Sequence, residues 1–146
     1  MKRFGVLMAA VAVASLVSPV AGQQKRLSPP MTAEGTVGGA KIEINYGAPY
    51  KKGRTTWGGQ LVPPGKVWRL GANEATTIKT SAPITIGTLS VPAGTHTLYL
   101  WFGEDKTAKL IVNKQTGQWG TEYNESQDLG RVDLKAQKLD APVEQL

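Results

Sequence analysis

The chain has 146 residues, with 17 lysines and arginines against 11 acids, a net charge of +6, and no cysteine. The absence of cysteine excludes a disulfide framework, a thiol nucleophile, a thiolate metal site and a redox pair. The modest basic excess suits envelope polymers, lipid head groups or small anions as counterparts, and basic and aromatic residues alternate too little for a nucleic-acid surface.

Lys2 and Arg3 precede an almost unbroken apolar run from Phe4 to Val17, which Ser18-Pro19-Val20-Ala21-Gly22 terminates. A membrane-spanning helix needs about 20 apolar residues, more than this run supplies. The pattern predicts a cleavable export signal over residues 1–22, with the domain periplasmic or extracellular and membrane contact only through that segment where it stays uncleaved. No cysteine stands near the cleavage point, so lipid attachment there is excluded. Loss of Lys2 and Arg3 takes the 17 basic residues to 15 against 11 acids, a net charge of +4. Residues 23–33 (QQKRLSPPMTA) are polar, carry a Pro-Pro pair and read as a flexible tether.

From Glu34 onward the dominant period is two, and the domain is expected to span 34–146. Ile42, Ile44 and Tyr46 alternate onto one face, and Thr76 to Thr80 is rich in β-branched residues. Pro83 to Val91 reads as two short strands around a Gly87-Thr88 turn, and Pro92-Ala93-Gly94 is a second turn. Thr95 to Phe102 is the strongest strand, with His96, Leu98, Leu100 and Phe102 on one face and Thr97, Tyr99 and Trp101 on the other. Substantial residues on both faces predict a central strand. Lys109 to Asn113 pairs back as a hairpin, and Arg131 to Ala136 alternates with Val132, Leu134 and Ala136 inward. No segment from the tether onward keeps helical periodicity over ten residues. The fold class is therefore all-β, a single antiparallel β-sandwich, jelly-roll-like, after an N-terminal signal helix.

Chemistry concentrates between Lys52 and Ile78. Arg54 and Arg69 offer planar forks for a carboxylate, phosphate or sulfate, while Asn73 and Glu74 add a donor-acceptor pair suited to sugar hydroxyls. Trp57 and Trp68, with Tyr46, supply flat stacking surfaces. The competing reading of this set is a structural network in which Arg69 ties Glu74 or backbone carbonyls. His96 is the lone histidine, half-buried or at an edge, and cannot make a metal site alone. Glu122, Glu125 and Asp128 could join Glu74 as a glycosidase-type carboxylate pair, although acids in a polar loop are usually just solvated. Their loop is expected to fold back toward the arginine set, with Tyr123 and Asn124 on the same rim.

Several stretches carry a family resemblance: Tyr46-Gly47-Ala48-Pro49, Lys52-Gly53-Arg54, Trp57-Gly58, and above all the run Gly65 to Thr77 (GKVWRLGANEATT), followed by Pro92-Ala93-Gly94-Thr95 and Gln118-Trp119-Gly120. In these the chain resembles the exported bacterial family known as domain of unknown function 2911. The resemblance runs over roughly residues 34–146 and implies a β-rich envelope domain without an assigned activity. Members typically continue with one or two more strands, so Val143 to Leu146, which reads as the opening of a strand, implies a shortened, poorly paired C-terminal edge.

The expected function is non-catalytic binding of a small polar ligand, anionic or a saccharide, or of an envelope component. The ligand-binding set is Arg54, Trp57, Trp68, Arg69, Asn73 and Glu74, with no catalytic residue, no metal and no cofactor. The alternatives are a glycan hydrolase with Glu74 as acid/base, and a structural domain whose C-terminal edge takes a strand-addition partner.

Overall fold

The computed structural model describes residues 26–146. The predicted export segment lies outside them. Nine strands follow in order: β1 (Pro30–Val37), β2 (Ala40–Gly47), β3 (Lys66–Arg69), β4 (Ala72–Thr80), β5 (Ile84–Ile86), β6 (Leu89–Val91), β7 (Gly94–Phe102), β8 (Ala108–Asn113) and β9 (Asp128–Leu134). A one-turn 3-10 helix, Glu125–Gln127, is capped by the Asn124 side chain, which accepts from Ser126 N. All nine strands pair antiparallel. The fold is all-β and sandwich-like. Its layers are unequal: one seven-stranded sheet, order β1-β2-β4-β7-β8-β9 with β3 also on β7, faces a second layer consisting of the β5–β6 hairpin.

β1 begins at Pro30, inside the stretch that reads as a tether. Gly38 and Gly39 (φ 54° and 82°) form a two-residue turn that folds it back on β2 in full register from Val37↔Ala40 to Pro30↔Gly47. Positive φ at both central residues is what this hairpin turn requires, and glycine adopts it without a Cβ penalty.

Residues in register point to the same face. Ile44, Ile78 and His96 therefore share a face, continued by the rows Leu98–Val112 and Leu100–Leu110–Val132. The β5–β6 hairpin lays Ile84, Ile86, Leu89 and Val91 against Ile78, Leu98 and Val112. Fully burying such a side chain contributes about 1.5–3 kcal/mol, and with no cysteine in the chain no disulfide adds to it. His96 is buried in this face, only 6% exposed, rather than half-buried or at an edge. β9 departs from its expected pattern. Val132 is buried, but Leu134 is 41% exposed and Ala136 lies past the strand. The reason is the short hairpin: its Gly87 turn comes down on Val132, leaving nothing to cover Leu134.

The C-terminal segment is engaged rather than free. Gln145 bridges Tyr50, Lys51 N donates to Glu144 O (2.7 Å), Leu146 N donates to Pro49 O (3.2 Å), and the Gln145 amide donates to Ala48 O (3.2 Å). No helix among the described residues is long and apolar enough to cross a membrane.

Candidate functional site

β3 and β4 share one edge of β7. Arg69 pairs with Tyr99, and Thr77 with Thr97, so the chain advances eight residues on one side for two on the other. The surplus swings away from β7 and opens a slot, with Asn73 taking the turn at φ 66°. Asparagine is among the few non-glycine residues that tolerate this region. The segment Gln118-Trp119-Gly120 fills the slot: Ala75 N donates to Gln118 O (3.1 Å), Gly120 N donates to Asn73 O (2.9 Å), and Glu74 bridges Trp119. Position 120 is tight: a Cβ there would stand 3.1 Å from both Arg69 Cδ and Asn73 O, so these neighbours would have to give by a few tenths of an ångström.

The sheet face opposite the core carries one polar row across six strands, Thr32–Asn45–Thr77–Thr97–Asn113–Asp128. Its two halves serve differently. On β7, β8 and β9 the row holds the 114–127 loop down. Thr97 Oγ donates to Gln115 O (2.6 Å), Asn113 Nδ2 to Asn124 O and to Asp128 Oδ1 (both 2.9 Å), and the Tyr123 hydroxyl to Asp128 Oδ2 (2.6 Å). Burial first, then the Asp128 hydrogen bond, pushes the Tyr123 phenol up to about 12. Gln118 completes the tie: its Nε2 donates to Tyr99 OH (3.0 Å) and Thr97 Oγ (3.3 Å). Both hydroxyls commit their own protons to carbonyls, Tyr99 to Glu122 O and Thr97 to Gln115 O, so each presents a lone pair to that nitrogen. Gln118 is 7% exposed, and its Oε1 has no partner among the described residues.

On β1, β2 and β4 the row is uncovered. Thr32, Asn45 and Thr77 line a crevice of about 500 Å³, walled by Gln118 on one side and by Arg26 and Glu74 on another. Thr32 Oγ donates to Asn45 Oδ1 (2.7 Å), and Asn45 Nδ2 to Glu43 Oε1 (2.6 Å). Arg26 Nη1 lies 2.7 Å from Glu74 Oε2. That hydrogen bond, ahead of the charge itself, holds the Glu74 carboxyl below its ordinary value. No group of three or more histidine, aspartate or glutamate side chains among the described residues could hold a metal ion.

Comparison with protein families matches residues 28–146 to the model described as protein of unknown function (DUF2911). This chain belongs to the DUF2911 family. No curated protein and no solved structure matches it. The DUF2911 match takes in β1, the slot and the segment that fills it, and leaves out only Arg26 among the crevice residues named above.

Within this DUF2911 domain the six residues singled out from sequence go to five places. Arg54 donates to the carbonyls of Lys51 (2.9 Å) and Tyr50 (2.6 Å), pinning its own turn. Trp57 crosses to the core face and lies on Phe102. Arg69 and Trp68 line a small cavity of about 160 Å³ with Tyr99, Gly120 and Tyr123. Asn73 holds the slot and donates to Ser28 O (3.1 Å). Only Glu74 faces the larger crevice. The 118–124 loop does fold back onto this region, bringing Tyr123 beside Arg69, whereas Asn124 caps the 3-10 turn. Of the loop acids, Asp128 and Glu125 pair with Arg131 (3.4 and 3.1 Å). Thr32, Asn45, Thr77 and Gln118 carry no motif in the sequence: the three strand positions are polar sites joined only by register, and Gln118 lies in a polar loop.

Proposed function

We propose that this DUF2911 member is an exported, non-catalytic binding domain whose ligand is a small saccharide seated in the crevice of Thr32, Asn45, Thr77, Glu74 and Gln118. The observation that carries the reading is the half-used polar row. The same register of hydroxyl and amide groups that fastens a loop on β7–β9 stands open on β1, β2 and β4. A sugar hydroxyl donates and accepts at once, and the crevice offers matching acceptors and donors: the Glu74 carboxylate, the Arg26 guanidinium and the threonine hydroxyls. Its volume falls in the range of about 300–1,000 Å³ usual for small-molecule sites. The sequence of residues 1–22 supports the exported setting. A hydrolase has less support, since Glu125 and Asp128 are engaged by Arg131.

The test is titration of neutral and acidic mono- and disaccharides by calorimetry, against wild type, Thr77→Val and Glu74→Gln. Saturable binding that Thr77→Val weakens by about tenfold, with no turnover in wild type, supports the reading. Binding that is unchanged in Thr77→Val, or no binding by any sugar, refutes it. Bond cleavage that Glu74→Gln abolishes would instead establish the hydrolase.

A further inference from the structure

The core face is longer than the hairpin that covers it. Beyond Val132 the row Lys66–Phe102–Ala108–Leu134 crosses β3, β7, β8 and β9. A separate element comes over this end: the 52–65 loop, which sets Trp57 on Phe102 with ring centroids 5.6 Å apart and planes at 47°. The loop is held by Gly58 N donating to Val62 O (3.1 Å) and Gly65 N donating to Phe102 O (2.6 Å). Between the Trp57 loop and Leu134 a groove of about 650 Å³ remains, floored by Leu100, Phe102 and Ala108. Trp57 is 52% exposed and Leu134 41%, and both large apolar side chains line this groove. Isolated exposed apolar residues are ordinary; a pair lining one groove marks a place to put apolar matter.

The rim is charged. Lys106 and Lys135 stand on it with one carboxylate, Glu104. Lys106 is held at φ 64° in a turn fixed by Asp105 Oδ1, which accepts from Thr107 N (3.1 Å) and Thr107 Oγ (2.6 Å), and by Gly103 N donating to Thr107 O (2.8 Å). Among the residues lining the groove, two ammonium groups stand against one carboxylate, a net single positive charge.

We propose that this groove is a second binding site, for a single-chain anionic amphiphile of the fatty carboxylate class. The alkyl chain lies on Phe102 and Leu100 between Trp57 and Leu134, and the carboxylate is held by Lys106 and Lys135. Charge complementarity selects this occupant over a neutral chain: the rim's net charge matches one carboxylate, and the floor offers the chain no polar partner. The site is independent of the crevice on the opposite face of the sheet.

The experiment is titration of the protein with monomeric decanoate, followed by tryptophan fluorescence and calorimetry, with octanoate, decanol and vesicles of anionic phospholipid in parallel. Decanoate is expected to bind saturably and about tenfold more tightly than octanoate, from two methylenes of chain. Leu134→Glu, at an exposed position that does not threaten the fold, is expected to weaken decanoate at least tenfold. Lys106→Gln and Lys135→Gln each weaken decanoate about two- to fivefold and leave decanol unchanged. Thr77→Val on the other face changes nothing here. Absence of saturable decanoate binding, equal binding in Leu134→Glu, or capture by vesicles without binding of monomeric decanoate overturns the proposal.

Discussion

Gln118 offers the sharpest test of how the loop is fastened. Its amide nitrogen faces three acceptors, Tyr99 OH at 3.0 Å and Thr97 Oγ and Gln115 O at 3.3 Å, and has two protons to share among them. Each such bond contributes about 0.5–1.5 kcal/mol net. Gln118→Met therefore forfeits about 1–3 kcal/mol. It also deletes Oε1, a buried acceptor without a partner, whose removal returns about 1–3 kcal/mol. The two hydroxyls keep the bonds they donate, so the methionine variant should lie within about 1 kcal/mol of wild type. Gln118→Glu has nearly the same shape and the opposite outcome. A carboxylate oxygen would meet two hydroxyl oxygens whose protons are already committed, and an uncompensated buried charge costs about 3–5 kcal/mol. In a domain of this size that is on the order of a 10 °C fall in Tm for glutamate, against a few degrees for methionine. Thermal and urea unfolding followed by circular dichroism measure both. Equal stability of the two variants would refute the reasoning, because it would mean that the amide nitrogen does not face the hydroxyls.

Gly120→Ala should destabilise by about 1–3 kcal/mol, since the new methyl meets the Asn73 carbonyl, which cannot move without disturbing the slot, as well as Arg69 Cδ. Unfolding of the double variant with Arg69→Ala should recover part of that loss, and no recovery would place the conflict at the Asn73 carbonyl and the residue-69 Cβ, which alanine keeps. His96 is buried with Nδ1 unpartnered, and desolvation lowers its pKa from the ordinary 6.5. The unfolded chain takes up the proton first, so stability is full above pH 6.5 and falls as pH drops toward the folded value, by at most about 1.4 kcal/mol per pH unit. His96→Leu should flatten this part of a stability-versus-pH curve measured by urea unfolding.

Strands with apolar alternation were legible in the sequence. Thr95 to Phe102 reads as a central strand and is β7, paired on both edges, and Pro83 to Val91 reads as the hairpin that β5 and β6 form. β1 was not, because PMTAEGTV has neither a clean alternation nor a buried face. What makes it a strand is its partner and the Gly38-Gly39 turn, a two-residue signal that was present in the sequence. The site was less legible for a different reason. Arg54 to Glu74 is one cluster in sequence, but Trp57 goes to one face of the sheet and Glu74 to the other, because the 52–65 loop passes over the core face and the 70–76 excursion over the opposite one. Residues that meet across strands, such as Thr32, Asn45 and Thr77, are separated by 13 and 32 positions in the chain and are joined only by register.

The slot at Asn73 also bears on the order in which the domain assembles. It exists only once residues 69–77 and 97–99 are paired, and only then can Gln118-Trp119-Gly120 enter it. Local hairpins such as β1–β2, β5–β6 and β7–β8 close across short stretches of chain, whereas this insertion joins segments more than 40 residues apart, and contacts of that span form slowly. The crevice wall thus rests on the pairing of β3, β4 and β7, and closes only after it. A ligand in the crevice would read the finished fold and no earlier stage of it.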